Sequence, residues 1–344
     1  MSKIIKWGII GLGNAASNLA NQFKFVSNSS LIAVASKTKE KRALFQNKYS
    51  IQSKNVYDNY EDLLLNKDVD LVYIALPHSM HKEWCIKAAE KNKNILVEKP
   101  AATSVSDLEK ILKVVKKNNI FFAEGLSYEF HPFYLKIISV LKQIKLNDVL
   151  SIDSSLGNDA IGGRFFFGIR LKSPKSHKRL FNPSLAGGAI WDVGCYPVSI
   201  IQKIISVLNN NKSINPEIVA SFKKIGKTKV DESSFINLKY NHIFSNIEVS
   251  ISKNLLNNVV INLKNGKIII SNPWLHLDND SSIQVIKNNK IENFIYKNIH
   301  NVYRQEIKTV SKFLINNKKE FTPPLSLCTD IRDRIAIMEQ WVSE

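Results

Sequence analysis

A chain of 344 residues is too long for one ordinary core and suits two domains of roughly 150 residues each. Its 44% hydrophobic content is that of a globular protein, and apolar runs such as residues 70–77 fall well short of the ~20 residues that span a bilayer, which argues against a membrane role. The formal charge of +18 is mostly lysine scattered among Asn and Ile rather than arginine gathered with aromatics; it reads as solvated surface able to attract an anionic cofactor, not as a nucleic-acid interface.

In chain order, Met-Ser-Lys passes directly into an apolar strand over residues 4–10, which leaves no room for a signal peptide and makes the cytoplasm the expected compartment. A helix over 14–25, a strand over 31–36, a helix over 39–49, a fully apolar strand over 70–76 and a helix over 81–91 follow. Strands over 95–98 and 120–124 flank a helix over 106–118. This alternation predicts a parallel βαβ sheet. The texture changes near residues 125–150, and after 210 the pattern alternates, with strands over 217–225, 234–240, 245–252, 258–263 and 267–271. A helix over 189–208 enters this part, and helices over 303–316 and 330–342 stand near the end. The predicted fold class is α/β, with an N-terminal Rossmann dinucleotide-binding domain over residues 1–125 and a C-terminal α+β domain over 126–344. The second domain is expected to carry a large open, mainly antiparallel sheet for substrate binding and oligomerisation, and the final helix is able to pack back on the first. Helices on one sheet face would leave a large apolar surface on the other, so a homodimer or homotetramer is expected.

Gly11-Leu12-Gly13-Asn14-Ala15-Ala16 directly follows the first strand and opens the first helix, the setting a G-x-G-x-x-A dinucleotide loop requires. Gly11 and Gly13 permit the tight turn and close backbone approach, and Asn14 and Ala15 begin a helix whose free N–H groups suit a pyrophosphate. At the end of the second strand an NAD site usually carries an acid for the ribose 2′-hydroxyl. Here stand Ser36, Lys37 and Thr38, with Lys41 and Arg42 beyond; a hydroxyl and cations suit a 2′-phosphate, so NADP(H) is expected ahead of NAD(H). Exposed lysines at a helix start are the alternative. Cys85, Cys195 and Cys328 are odd in number and lack metal-ligand spacing, so neither a disulfide framework nor a metal site is expected.

The run from Val72 through Ile74-Ala75-Leu76-Pro77-His78-Ser79-Met80-His81 to Trp84, followed by Glu98-Lys99-Pro100, resembles the glucose–fructose oxidoreductase, inositol dehydrogenase and rhizopine-catabolism (Gfo/Idh/MocA) oxidoreductase family. Arg179-Leu180-Phe181-Asn182-Pro183, Gly187-Gly188-Ala189 and Asp192-Val193-Gly194-Cys195-Tyr196-Pro197 resemble its substrate-domain signature, so the likeness runs in order over nearly the whole chain. Tyr196 stands where inositol dehydrogenase-like members carry His, which is similar to the dihydrodiol and xylose dehydrogenase branch. The resemblance implies NAD(P)-linked oxidation of a sugar, polyol or cyclic secondary alcohol. It also implies a loop over Leu76, Pro77, His78 and His81 that approaches the cofactor ribose and nicotinamide, cofactor contact by Glu98 and Lys99, and a cis bond before Pro100.

The chemistry is consistent with these residue types. Removing hydride from carbon requires removing a proton from oxygen, so a positioned base must act beside the cofactor. Tyr196 is a candidate, because an ammonium such as Lys99 favours the phenolate. Asp192, four residues earlier on one helix face, can bind a substrate hydroxyl or orient its neighbours. Each has a bland alternative: a core aromatic for Tyr196, an exposed turn lysine for Lys99, a helix-start cap for Asp192. His78 and His81 lack a further ligand nearby to complete a metal cluster. Tyr128 and His131 either line a pocket or pack at the domain junction, and Glu129 occupies a position often held by Arg in related chains, which leaves substrate identity open. Arg164, Arg170 and Arg179 can meet a polar substrate or form structural ion pairs. A non-catalytic dinucleotide sensor on the same fold is the second functional reading; it would dispense with Lys99, Asp192 and Tyr196.

Overall fold

The computed structural model describes residues 3–162, 165–166, 169–170, 174–175, 178–274, 280–288, 290–297, 301–316 and 328–344. Arg164 lies outside these residues, and of Arg170 only the backbone is described. The chain divides into two compact units, Met1–His131 with His300–Ile331, and Pro132–Ile299 with Arg332–Glu344.

The first unit runs β1 (Ile5–Ile10), α1 (Asn14–Ala20), β2 (Ser29–Ala35), α2 (Lys39–Tyr49), β3 (Val56–Tyr57), α3 (Tyr60–Leu65), β4 (Leu71–Ile74), α4 (His81–Glu90), β5 (Asn94–Glu98), α5 (Val105–Lys117) and β6 (Phe122–Gly125). The second runs α6 (Pro132–Leu141), β7 (Val149–Gly157), β8 (Phe165–Phe166), β9 (Ile169–Arg170), α7 (Cys195–Leu208), β10 (Glu217–Ile225), β11 (Asp231–Tyr240), β12 (Ile243–Ser250), β13 (Asn258–Leu263), β14 (Gly266–Ser271), β15 (Ser281–Lys287) and β16 (Lys290–Tyr296). Helices α8 (Val302–Ile315) and α9 (Cys328–Ser343) complete the chain.

In the first unit six strands pair in parallel in the order β3-β2-β1-β4-β5-β6, the doubly wound order whose ligands sit beyond the strands' C-terminal ends. Burial on both faces explains the continuous apolar runs: every residue of β4 is buried, and in β1 only Lys6 is exposed. Trp7, Ile9, Leu71, Tyr73 and Leu96 share one core with Ile307, Val310 and Phe313 of α8. The Trp7 indole donates to Ser311 Oγ at 2.9 Å, so a segment far along the chain completes the Rossmann unit.

The second unit holds an eight-stranded sheet in the order β10-β11-β12-β7-β13-β14-β15-β16. All neighbours are antiparallel except β12 and β7, which makes the sheet mixed but mainly antiparallel. Helix α7 packs on β7 and β12 with Val198, Ile201, Ile204 and Ile205 buried. The apolar run Pro183–Leu208 is long enough by length and composition to cross a bilayer, against the expectation from the sequence, but 67% of its apolar window is buried, as in a core helix. The opposite face corrects a second expectation. Its centre is a polar ladder: Asn237 donates to Asn246 at 2.6 Å, Asn246 to Asp153 at 2.7 Å, and Asn262 to Asp153 at 2.9 Å and Ser151 at 2.8 Å. Alternation along the middle of β7, β11 and β12 turns Ile and Leu inward and these amides outward, with exposed apolar side chains such as Phe222 and Phe244 beside them rather than as one continuous sheet face.

Candidate active site

Gly11 ends β1 with φ +87°, and a Cβ there would lie 2.5 Å from the Ala75 carbonyl oxygen, so only glycine fits. Gly13 caps α1 without a side-chain cap, and a Cβ on it would meet nothing within 4 Å. Asn14 and Ala15 follow as the first helical residues. Open space above a bare backbone turn fits a phosphate group, and a side chain there would fill it.

At the end of β2, Ser36 is buried, and its Oγ accepts from Thr38 N–H at 3.2 Å. Lys37 and Lys41 are exposed, with the Lys37 ammonium 6.0 Å from the Tyr60 ring. The cation held at Ser36 is Arg42, whose Nη1 donates to the Ser36 carbonyl at 2.7 Å. Its place one helical step beyond Lys41 is visible in the sequence, but its inward turn is not.

The loops after β4 and β5 carry the other residues of the first unit. Leu76 and His78 are buried and Pro77 half-buried. His81 is fully buried, with Nδ1 2.8 Å from the Pro100 carbonyl oxygen and Nε2 2.9 Å from that of Leu76. Both ring nitrogens are thus turned to the protein's own backbone, which corrects the expectation that His81 reaches a cofactor. Lys99 stands half-buried at the end of β5, and the Lys99–Pro100 bond is cis.

Near it stand half-buried Glu98, expected from the sequence, and the buried Glu124 and Glu306, which the sequence did not reveal. The Tyr73 phenol donates to Glu98, and burial, then the Glu98 charge, push the Tyr73 pKa well above its ordinary value. Glu306, from α8, is buried with Oε1 lacking a hydrogen-bond partner; burial, then Glu98, raise its pKa well above the usual carboxylate range. Glu124, on β6, accepts the Ala101 N–H at 2.7 Å.

In the second unit, Gly188 takes φ +111° and brings Ile190 N–H within 2.8 Å of Asp231 Oδ2. A Cβ on Gly188 would lie 2.0 Å from the Asp231 carboxylate, so the glycine and the acid require each other. Asp231 thereby caps a π-turn, Ile190–Gly194, that leads into α7 and shifts the helical register locally. Burial raises the Asp231 pKa against the lowering effect of these backbone hydrogen bonds. Asp192 lies in the π-turn, half-buried, and accepts from Arg179 Nη2 at 2.6 Å. Tyr196, in the first turn of α7, is half-buried and packs edge-on to Trp274 with ring centroids 6.4 Å apart. Asp231 and Trp274 carry no motif of their own, and each meets its partner, Ile190 or Tyr196, from far along the chain.

Tyr128, Glu129 and His131 are all interior, with Tyr128 fully buried. Glu129 lies in the turn Ser127–Phe130, where its N–H donates to the Leu126 carbonyl at 3.0 Å. Among the described residues Cys85 and Cys195 are buried and not joined in a disulfide, and no group of three or more His, Cys, Asp or Glu side chains is placed to hold a metal.

The GFO_IDH_MocA model, described as an oxidoreductase family with an NAD-binding Rossmann fold, matches residues 5–126. The chain is 28% identical over 238 residues to a trans-1,2-dihydrobenzene-1,2-diol dehydrogenase of Xenopus tropicalis, covering 68% of this chain and 65% of that protein. It is 30% identical over 243 residues to a D-xylose 1-dehydrogenase (NADP(+)) of Hypocrea jecorina, covering 67% of this chain and 61% of the relative. The chain therefore spans less than two thirds of the length of these relatives. Among solved structures, the 3-ketoreductase KijD10 of Actinomadura kijaniata in complex with NADP and TDP-benzene superposes with a TM-score of 0.85 at 16% identity, covering 99% of this chain and 98% of that one. An aldose-aldose oxidoreductase of Caulobacter crescentus gives 0.82 at 19% identity over 99% and 97% of the two chains, and both likenesses concern the fold. With its G-x-G-x-x-A loop, parallel strand order and matching span, the Rossmann domain of this chain matches the GFO_IDH_MocA oxidoreductase family model.

Proposed function

We propose that the protein is an NADP(H)-dependent oxidoreductase acting on a sugar, polyol or related cyclic secondary alcohol or its carbonyl, working in the cytoplasm. The observation that carries this reading is Lys99, half-buried at the C-terminal end of β5 in the same sheet whose β1 loop presents Gly11 and Gly13. A non-catalytic sensor would be expected to dispense with the proton-transfer role of this lysine while keeping the glycine loop. The names of the diol and xylose dehydrogenase relatives support the substrate class.

When bound, the nicotinamide supplies hydride exchange with the substrate carbon. Gly11, Gly13, Asn14 and Ala15 would hold the pyrophosphate, and Ser36, Arg42, Lys37 and Lys41 the ribose 2′-phosphate. Arg42 supports NADP(H) because its guanidinium is fixed at Ser36 where an NAD site carries an acid. Lys99 and Tyr196 are the side chains assigned to proton transfer at the substrate oxygen, each on the chemistry of its residue type. Asp192, its carboxylate oriented by Arg179, accepts a substrate hydroxyl.

The test is a panel of sugars, polyols and cyclic diols, read by NADPH absorbance alongside binding titrations of NADPH and NADH. Turnover of at least one member with NADP preferred supports the reading. Tight nucleotide binding with no turnover across the panel would favour the sensor, and tighter NADH than NADPH binding would overturn the cofactor choice.

A further inference from the structure

His81 Nδ1 and Nε2 both face carbonyl oxygens, of Pro100 at 2.8 Å and Leu76 at 2.9 Å, in a fully buried setting. A carbonyl oxygen only accepts, and a neutral imidazole has one N–H; its other nitrogen would set a lone pair against the second oxygen. Only the imidazolium satisfies both contacts.

The peptide that follows Lys99-Pro100 is gripped from both sides. Its carbonyl meets His81, and its N–H, on Ala101, donates to Glu124 Oε1 at 2.7 Å. Glu124 is 2% exposed, so a buried carboxylate and a buried cation stand on opposite ends of one polarised peptide, where each offsets the other's desolvation. Other charged and titratable groups stand on the neighbouring elements. The His78 ring, from the turn before α4, lies 5.7 Å away centroid to centroid; Lys82 on α4 is tied to Asp107 of α5 at 3.0 Å; and Glu98 at the end of β5 takes the Tyr73 phenol.

We propose that His81 is a permanently charged positioning residue which, with Glu124, clamps the Pro100–Ala101 peptide, ties the loop after β4 to the turn after β5, and so fixes Lys99. The consequence for turnover rests on the catalytic reading of Lys99, whereas the protonation of His81 does not.

The experiment uses the full chain labelled with 15N-histidine, with NADPH present, and reads the ring nitrogens by NMR at pH 8. The His81 signals are assigned by their loss in His81→Gln or, should that variant not fold, by elimination through variants of the remaining histidines. Two protonated ring nitrogens on His81 are expected there, where an ordinary histidine of pKa about 6.5 is mostly neutral. A single neutral tautomer at pH 8 overturns the proposal. Glu124→Gln keeps the acceptor oxygen but removes the charge, and is expected to bring the His81 titration down in pH; an unmoved titration overturns the pairing. In kinetics, His81→Gln is expected to lower kcat about a hundredfold with NADPH affinity within about threefold, the signature of a misplaced catalytic group. Unchanged kcat overturns the positioning role. If Lys99→Met keeps wild-type turnover while His81 remains doubly protonated, the reading of Lys99 fails and the clamp stands.

Discussion

Arg179 Nη2 donates to Asp192 Oδ1 across 2.6 Å, joining the turn Arg179–Phe181 to the π-turn Ile190–Gly194 by a charge-assisted hydrogen bond. The arginine is 37% exposed and the aspartate 17%, so the bond orients the carboxylate more than it stabilises the fold. Arg179→Ala is therefore expected to raise KM for the alcohol about tenfold with kcat within about threefold, measured by initial rates at saturating NADP. An unchanged KM with a large fall in kcat would mean that Arg179 acts on the reacting atoms instead.

Arg42 is the cation fixed at the end of β2 by the Ser36 carbonyl. Arg42→Ala should weaken NADPH binding by about tenfold or more, the worth of a charge-assisted contact, and leave NADH binding unchanged. Fluorescence titration of both nucleotides decides this. Equal weakening of the two would place the arginine's effect in the fold of the β2–α2 turn, not in phosphate recognition.

Gly11 combines φ +87° with a Cβ position 2.5 Å from the Ala75 carbonyl oxygen. Gly11→Ala must shift the β1 or β4 end and adopt a strained backbone, at a cost of about 1–3 kcal/mol. A lowered Tm together with much weaker NADPH binding is expected in thermal scans with and without nucleotide. Wild-type affinity in this variant would exclude the turn from phosphate binding.

Burial, then the Glu98 charge, raise the folded-state pKa of Glu306 above its ordinary value of 4.5. The folded protein keeps a proton that the unfolded chain releases above that pH, so this group lowers stability as pH rises from its unfolded pKa toward its folded one. Glu306→Gln removes the effect. Its Tm should exceed that of wild type at pH 8 and approach it near pH 4.5. A variant less stable than wild type at pH 8 would show that the carboxylate is ionised and held by an opposite charge.

The features legible in the sequence are those encoded locally. The glycine loop, Lys99-Pro100 and the strands of the parallel sheet other than the two-residue β3 are written as short motifs and apolar runs, and α2 and β10 fall at the expected residues. Strand β7 was missed because its run Val149–Gly157 precedes the alternating region, yet it is paired between β12 and β13 near the sheet's centre. The return of α8 to the first unit depends on Ile307 and Val310 filling a distant core, which an amphipathic pattern alone does not direct. Around the site, Asp231, Glu124 and Glu306 were invisible for the same reason: each acts on a backbone or charge brought close only by tertiary pairing. His81, expected in the loop after β4 with a task toward the cofactor, opens α4 and turns inward, because its spacing says nothing about which carbonyls its nitrogens meet.

The central claim is that Lys99 and Tyr196 perform the proton chemistry of an NADP(H)-linked oxidation. The most direct measurement is the single-turnover rate of NADP reduction in wild type, Lys99→Met and Tyr196→Phe on a substrate identified by the panel, with NADP affinity measured in parallel. Each variant is predicted to lose about 10²–10⁴-fold in rate while still binding NADP, as removal of a proton-transfer group requires. Turnover at the wild-type rate in either variant would contradict the account.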